Sequence, residues 1–417
     1  MLGDLAGLRP ALGTIGLMLD LTETSEILGN ISGGVKQGAE YDGVTTLGLS
    51  LDTRQAFGWN GGVFHVSGVN THGRNLSAEN LWSLQTASGI ETDPTTRLWE
   101  LWYEQSWQDG KFGIKIGQQS ADNEFMTSAN AGHFVNTVMG WPAIPSYDLL
   151  NGGPAFPLSA LGVRVKAQLS DGVTFLGGIF NGDPVGTGDA DHGTAFRLDD
   201  GMLAIGELQY AVNAPAQDGE PSSEGLPGTY KLGFWYNSED FEDQRIDTAG
   251  LSLADPGSTG IAKTHKGNFS VYGLLDQMVW RANPTSPQSL NVFVRAMAAP
   301  SDQNLISFSI NGDVTLTAPF EGRDADTFGI GFGYVQVSDR AAGLDKDTAF
   351  FSGTPYPVRT GETFVEITYQ YEATRWLQLQ PDFQYVFNPG GGLSDPGNPT
   401  QRIGDEAIIG PRANITL

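Results

Sequence analysis

The sequence predicts an all-β membrane barrel of about 16 antiparallel strands, with short turns on one side and long loops on the other. Three observations carry that expectation. Segments in which apolar and polar residues alternate recur from Thr14 to the C-terminus. Connections between them are short and long largely by turns. No run of about 18 apolar residues offers a membrane helix. Alternation fits a strand, whose successive side chains point to opposite faces. In a membrane barrel one face meets lipid and the other a water-filled bore, so the slightly negative mean hydropathy of the 417-residue chain is no obstacle.

The strands follow in order. TIGLMLDLTET sets Ile15, Leu17, Leu19 and Leu21 on one face, and DGVTTLGLSLD and GGVFHVSGVN come next. RLWELWYEQSW sets Trp99, Leu101, Tyr103 and Trp107 against Glu100, Trp102 and Glu104. KFGIKIGQ carries Lys115, and LGVRVKAQL carries Arg164 and Lys166. GVTFLGGIFN and LAIGELQY follow, the latter turning Glu207 and Gln209 one way. TYKLGFWYN sets Tyr230, Leu232, Phe234 and Tyr236 against Lys231 and Trp235. NFSVYGLLDQMVW has adjacent Asp276 and Gln277, which leaves its faces unassigned. LNVFVRAMA carries Arg295, then LISFSINGDVTL and FGIGFGYVQV. TFVEITYQYE sets Val365, Ile367 and Tyr369 against Glu366, Thr368 and Gln370. LQLQPDFQYVF places Leu377, Leu379, Phe383 and Tyr385 toward lipid and Gln378, Gln380, Asp382 and Gln384 toward the bore. Pro381 cannot donate to a ladder, so a bulge or weak pairing is expected there. EAIIGPRANITL closes the series.

Tight turns are expected at Gln108–Gly110, Ser170–Gly172 and Glu372–Arg375. Long Gly/Pro/Asp-rich loops are expected at about Thr71–Thr95, Ser120–Pro157, Gly182–Asp200, Ser238–Gly267, Ser338–Gly361 and Asn388–Gly404. Two connections disturb the rhythm: Ala211–Gly228 is long for a turn, and Ala299–Gln303 short for a loop. Residues 1–13 read as a periplasmic segment and 14–417 as the barrel. MLGDLAGLRPALG lacks the charged and apolar regions of a signal peptide, which an exported chain would have lost.

Composition excludes several function classes. A net charge of −25 repels a phosphate backbone, so nucleic acid is not an expected partner. The absence of Cys removes disulfide frameworks and thiolate metal sites. The five His form no HExxH, and neither a GxSxG elbow nor a P-loop is present. Glu100 and Glu104, four apart on a strand, stand roughly 13 Å apart, too far for a glycosidase pair. Asp183, Asp189 and Asp191 in DPVGTGDADHG have oxygen-ligand spacing for Ca²⁺ without the full EF-hand pattern, and a solvated acidic loop is the simpler reading.

The inward residues suit a polyhydroxylated solute, which needs planar hydrogen-bonding groups and a flat aromatic surface. Glu100, Trp102 and Glu104 offer both on one strand, and Lys231 with Trp235 repeats the idea. Lys115, Arg164, Lys166 and Arg295 are expected inward cations, and Glu366 and Asp382 inward carboxylates. Plain solvation of a lumen, or a salt bridge along the wall, is the simpler account of each. Loop Ser120–Pro157 has too many apolar residues for disorder and is expected to fold inward, bringing Asp122, Glu124, Asn136 and Trp141 to a constriction. Arg74, in an earlier loop, is expected to reach the same place or a neighbouring subunit.

Several fragments, in order, carry a resemblance. They include LGDLAGLRPALGTIGL, FHVSGVNTHGRNLS, RLWELWYEQSW, GIKIGQQSADNEFMTSANAGHFVNTVMGWPAIPS, GGPAFPLSALGVRV, IFNGDP, YGLLDQMVWR and QPDFQYVFNPGG. In these the chain resembles the carbohydrate-selective outer-membrane porins, the OprB-like glucose-porin family. The resemblance implies a barrel of about 16 strands in the Gram-negative outer membrane, embedded in lipid and lipopolysaccharide. It implies a homotrimer, passive diffusion of glucose and related sugars, and no catalysis or cofactor. Leu417 departs from the aromatic last residue usual in such barrels, which bears on how assembly recognises the chain. A general diffusion porin, and a soluble all-β carbohydrate-active protein or adhesin, stand as alternatives.

Overall fold

The structure is a computed structural model that describes residues 3, 5, 7–185, 191–214 and 225–417. Sixteen antiparallel strands close into one barrel. In chain order they are β1 (Leu17–Ser32), β2 (Gly38–Asp52), β3 (Gly62–Gly73), β4 (Thr95–Trp107), β5 (Phe112–Gln119), β6 (Ala160–Gln168), β7 (Val173–Asn181), β8 (Met202–Val212), β9 (Gly228–Asp247), β10 (Ala262–Arg281), β11 (Ser289–Ala298), β12 (Ile306–Thr317), β13 (Thr327–Val337), β14 (Gly361–Thr374) and β15 (Leu377–Phe387). A small hairpin, β16 (Ser394–Asp395) and β17 (Asn398–Arg402), decorates the last long loop, and β18 (Glu406–Thr416) seals the barrel against β1. Closure leaves no sheet edge to present unpaired backbone to lipid. Among the described residues no helix is long and apolar enough to cross a membrane.

The two connections that disturbed the rhythm fall on the sides that strict alternation demands. Residues 213–227 join β8 to β9 at the end of the barrel that holds the tight turns 108–111, 169–172 and 375–376, and 299–305 joins β11 to β12 at the opposite end. At the first tight turn Gln108 and Asp109 both take positive φ (52° and 55°), the twist that two-residue hairpins favour. One expected loop is corrected. Most of Ser238–Gly267 is strand, because β9 and β10 run on for 20 residues each and leave only 248–261 as connection. About 10 residues suffice to cross a bilayer as a tilted strand. On the projecting ends, SEDFEDQRID among them, the outer face meets water while Phe241, Asp243 and Asp247 are buried on the other, so the apolar period that marks a strand is lost.

The faces divide as the alternation requires. On β15 Gln380, Asp382, Gln384 and Val386 are buried inside while Leu379, Pro381 and Phe387 are exposed outside. Pro381 stands opposite Pro411 with the register of β15 and β18 unbroken. The bulge between β14 and β15 lies elsewhere, at Glu372/Thr374, but the expected weak pairing is seen: the β14–β15 ladder lapses at Gln380 and Pro381, between Thr368↔Asp382 and Tyr371↔Leu379. The unassigned strand β10 turns Tyr272 and Leu274 inward, bonds Asp276 to loop residues inside the barrel, and breaks register between Met278 and Trp280.

Residues 120–159 fold into the barrel. Their apolar side chains, Phe125, Met126, Val135, Val138, Met139 and Ile144, pack on inward wall residues such as Phe180, Trp235, Phe293 and Phe364 to form a core within the bore. Each fully buried side chain of this kind contributes about 1.5–3 kcal/mol, which explains why the segment is not left in water. FGIGFG in β13 prepares a groove for it. A Cβ on Gly329 or Gly331 would stand 2.7 or 2.9 Å from the Phe134 ring, so only glycine admits the loop there.

Candidate functional site

Neighbouring strands set a charged ladder across the bore wall. Registers place Glu104 beside Lys115 and Lys115 beside Arg164, on β4, β5 and β6. The inward loop adds Glu124, which forms an ion pair with Lys115 and accepts from Arg164 Nη2 at 3.1 Å. Arg164 Nη1 donates to Glu104 at 3.1 Å. Enclosure works against ionising Glu124, but the charges and hydrogen bonds of Lys115 and Arg164 outweigh it and hold the carboxyl below its usual range. Carboxylates and cations alternate here, so no single sign of charge dominates this part of the wall.

Trp102 stands in the same wall with a neighbour from each adjacent strand. The His65 ring, from β3, stacks at 4.8 Å, and Lys115 Nζ, from β5, lies 4.2 Å from the indole centroid. The aromatic surface that the sequence offered to a ligand is thus contacted from both strands, while Nε1 has no partner among the described residues. Glu100, one pleat along, accepts from Ser120 N at 3.0 Å and fixes the point where the loop leaves β5. Lys166 also faces inward, nearer the tight turns.

A second set of inward residues clamps the loop against the far wall. Arg295 donates to Met126 O (2.6 Å), Gly140 O (3.0 Å) and Val138 O. Lys231 donates to Thr127 O at 2.7 Å, and Glu207 accepts from Met126 N at 2.8 Å. Glu366 accepts from Val135 N (2.6 Å) and Asn136 N (3.2 Å). The Asn136 side chain donates to Gln384 Oε1 at 3.0 Å, and Gln384 reaches Asp382 at 3.0 Å. The preceding loop joins in: Leu84 N and Gln85 N each donate to Glu362 at 2.7 Å.

These contacts correct several expected positions. Trp235, Arg295 and Glu366 face inward as the alternation indicates, but all three have 0% exposure beneath the loop and do not meet the lumen. Asp382, Asn136 and Glu100 are buried as well, and the side chains of Lys231, Lys115 and Arg164 are nearly so, at 9%, 10% and 5% exposure. A period-two pattern gives direction only and cannot show that another segment covers the wall. Arg74 is likewise not at the constriction. It stays at the outer mouth, 60% exposed, paired with Glu79 and Glu40. Asp183 accepts from Asn151 and Val185 N, and Asp191 from Thr194 N and Ala195 N, while Asp189 lies outside the described residues.

Between the loop and the β18–β1 wall lies a cavity of about 390 Å³, bounded by Ile90, Asp122, Asn136, Trp141, Phe156 and Arg412. Trp141 is fixed by its Nε1 donating to Gly152 O at 2.9 Å. Asp122 accepts from Ser120 Oγ (2.5 Å) and Phe156 N (2.8 Å). Enclosure, with Glu100 adding repulsion, pushes its carboxyl up to about 6 against these bonds. Arg412 donates to Glu26 at 2.7 Å and to Ser88 Oγ at 2.8 Å. Sequence reasoning missed Arg412, Phe156 and His65. Arg412 was findable, since IIGPRANIT alternates and sets it on the same face as Ile408, and so was His65, between Phe64 and Val66 in GGVFHVSGVN; Phe156 carries no such signal.

A closed 16-strand barrel with an apolar outer belt and a charged bore narrowed by an inward loop defines an outer-membrane porin, a transport channel. The chain matches the carbohydrate-selective porin, OprB family, over residues 36–417, and it belongs to that family. Its place is the Gram-negative outer membrane. Porin B of Pseudomonas aeruginosa is 24% identical over 420 residues, spanning 94% of this chain and 87% of that protein. The putative porin QuiX of Acinetobacter baylyi is 22% identical over 418 residues, spanning 94% and 89%. The high-pH structure of Pseudomonas putida OprB has the same fold, with a TM-score of 0.87 at 22% identity over 99% of this chain and 97% of that one.

Proposed function

We propose that this porin passes glucose and related neutral monosaccharides by passive, saturable diffusion, and performs no chemistry of its own. The observation that carries the reading is the cavity beside the inward loop, where Trp141 and Phe156 face Arg412 and Asp122. Apolar ring faces and planar charged donors and acceptors meet there, as the C–H faces and hydroxyls of a sugar require. A volume near 390 Å³ lies toward the small end of the roughly 300–1,000 Å³ of small-molecule sites, which favours one ring over a longer oligosaccharide. The assembly proposed is a homotrimer held in lipid and lipopolysaccharide.

The second reading, a general diffusion porin, draws on a specific observation: Trp102 is contacted by His65 and Lys115, and Trp235 is covered. Titrating glucose against single-channel ion current separates the two. Current that falls saturably supports sugar selectivity. Channels indifferent to glucose, maltose and arabinose leave a general pore, and no channels at all would overturn both.

A further inference from the structure

The short turns mark the periplasmic end of the barrel. Exposed aromatic side chains crowd the last pleats before it. Trp107 and Phe112 flank the first tight turn, and Tyr210, Tyr230, Trp280 and Tyr371 stand near the ends of β8, β9, β10 and β14. Such residues collect at the level of lipid headgroups, so this rim lies at the membrane surface. Between β2 and β3 the rim is more elaborate than a turn. Thr53–Phe57 form a helical turn whose first residues are capped by Asp52, which accepts from Arg54 N at 2.8 Å. Thr53 Oγ1 donates to Trp59 O (2.6 Å) and Gly62 O (2.9 Å). Ser106 N donates to Gly61 O at 2.8 Å, and Gln105 Nε2 to Asn60 O at 3.0 Å, which ties the segment to the end of β4. Gly61 permits that approach: its φ is 81°, and a Cβ there would stand 2.3 Å from Ser106 O.

Between this segment and the 108–110 turn lies an open cleft of about 490 Å³, lined by Arg54, Asn60, Ser106, Trp107, Gln108 and Asp109. Its framework is bonded, but its charges are not. Arg54 and Asp109 are both exposed, and neither side chain takes part in a hydrogen bond or ion pair among the described residues. The membrane side of the cleft is aromatic. Trp107 packs on Phe112 with ring centroids 5.5 Å apart, and Trp59 on Tyr103 at 6.1 Å. A free cation, a free carboxylate and an indole thus share one cleft at headgroup level, and exposed Leu101 and Ile116 continue the apolar wall above it on β4 and β5.

We propose that this cleft binds the headgroup of a phospholipid of the periplasmic leaflet, phosphatidylethanolamine. The Arg54 guanidinium can meet two phosphate oxygens at once. The ammonium of the ethanolamine is left for the Asp109 carboxylate and the face of Trp107, since a ligand cation is attracted to an indole ring. Asn60 and Gln108 add amides for the remaining phosphate and ester oxygens. The acyl chains continue along the lipid-facing side chains of β4 and β5. An anionic headgroup such as phosphatidylglycerol satisfies Arg54 equally but has no ammonium for Asp109, and it adds negative charge to a chain that already carries −25. The cleft holds both signs of charge, and a zwitterion is its complement.

The inference rests on the outer-membrane location and not on what the bore passes. Native mass spectrometry reads it, with the purified chain in mild detergent given equimolar phosphatidylethanolamine and phosphatidylglycerol. The parent should retain phosphatidylethanolamine about threefold over phosphatidylglycerol, the size of preference an exposed charge pair gives. Arg54→Gln should lower that retention about tenfold, as the loss of a charge-assisted hydrogen bond would. Asp109→Asn should keep a lipid bound and erase the preference between the two. Arg281→Gln, which removes a cation at the end of β10 on the same rim, should change neither. Single-channel ion conductance like that of the parent certifies the barrel in each variant. Retention that ignores Arg54→Gln, or falls equally in Arg281→Gln, would overturn the site. Phosphatidylglycerol held by the parent as well as phosphatidylethanolamine would overturn the headgroup assignment.

Discussion

Replacing Arg295 with Met should loosen the inward loop over residues 126–140 and raise the time the channel spends in wider states. Arg295 is fully buried and serves the carbonyls of Met126, Gly140 and Val138, which no regular helix or ladder would otherwise satisfy. A hydrogen bond from a charged donor is worth roughly 1.5–3 kcal/mol, so three represent about 5–9 kcal/mol gross. Methionine keeps much of the volume and removes the cost of burying a guanidinium, which is several kcal/mol. The difference, roughly 3 kcal/mol, shifts the equilibrium toward the detached loop about a hundredfold from its parent value. Single-channel recording reads it directly: Arg295→Met should show larger open current, more gating noise and weaker sugar block, with the barrel still heat-modifiable on a gel. Parent-like conductance, noise and sugar block would refute the assignment of Arg295 as the clamp.

Other perturbations address the remaining contacts. Glu124→Gln leaves Lys115 and Arg164 without their shared carboxylate; cation selectivity, measured by reversal potential in a salt gradient, should fall, with a loss of stability on the order of 3 kcal/mol. Trp102→Ala should weaken glucose block while ion conductance stays near that of the parent, and unchanged sugar affinity would remove Trp102 from the path. The Asp122 carboxyl, raised from 3.8 to about 6, makes the folded loop the better proton binder. Its packing is therefore favoured at low pH and loses about 3 kcal/mol as pH rises from about 4 to about 6, with no further change above. Open-channel noise should increase over that window, and Asp122→Asn should abolish the Asp122 part of the dependence.

How much of this was legible depended on how local the signal was. Direction along a strand is local: Gln380, Asp382 and Gln384 face in because their neighbours Leu379 and Phe383 do not. Projecting strand ends were read as loop because Asp240, Glu242 and Gln244 have no lipid to demand an alternating partner. Arg295 and Trp235 were correctly turned inward yet wrongly placed against the lumen, since nothing in LNVFVRAMA or KLGFWYN records that residues 126–140 lie over them. The cavity beside Arg412 joins it to segments about 256 to 322 residues away in sequence, and no spacing rule connects them.

By itself, then, the sequence determined an all-β chain with one face for lipid and one for water, sixteen strands and an inward apolar loop. Alternation and turn chemistry are short-range constraints that each strand satisfies alone. Tertiary structure alone decided which inward residues remain in the bore and which become anchors beneath the loop. It also decided which charges share the cleft at the periplasmic rim, because Arg54 and Asp109 line it together only once β3 and β4 are in register. Burial and cross-strand proximity are properties of surfaces brought together by closure, and a single strand does not contain them.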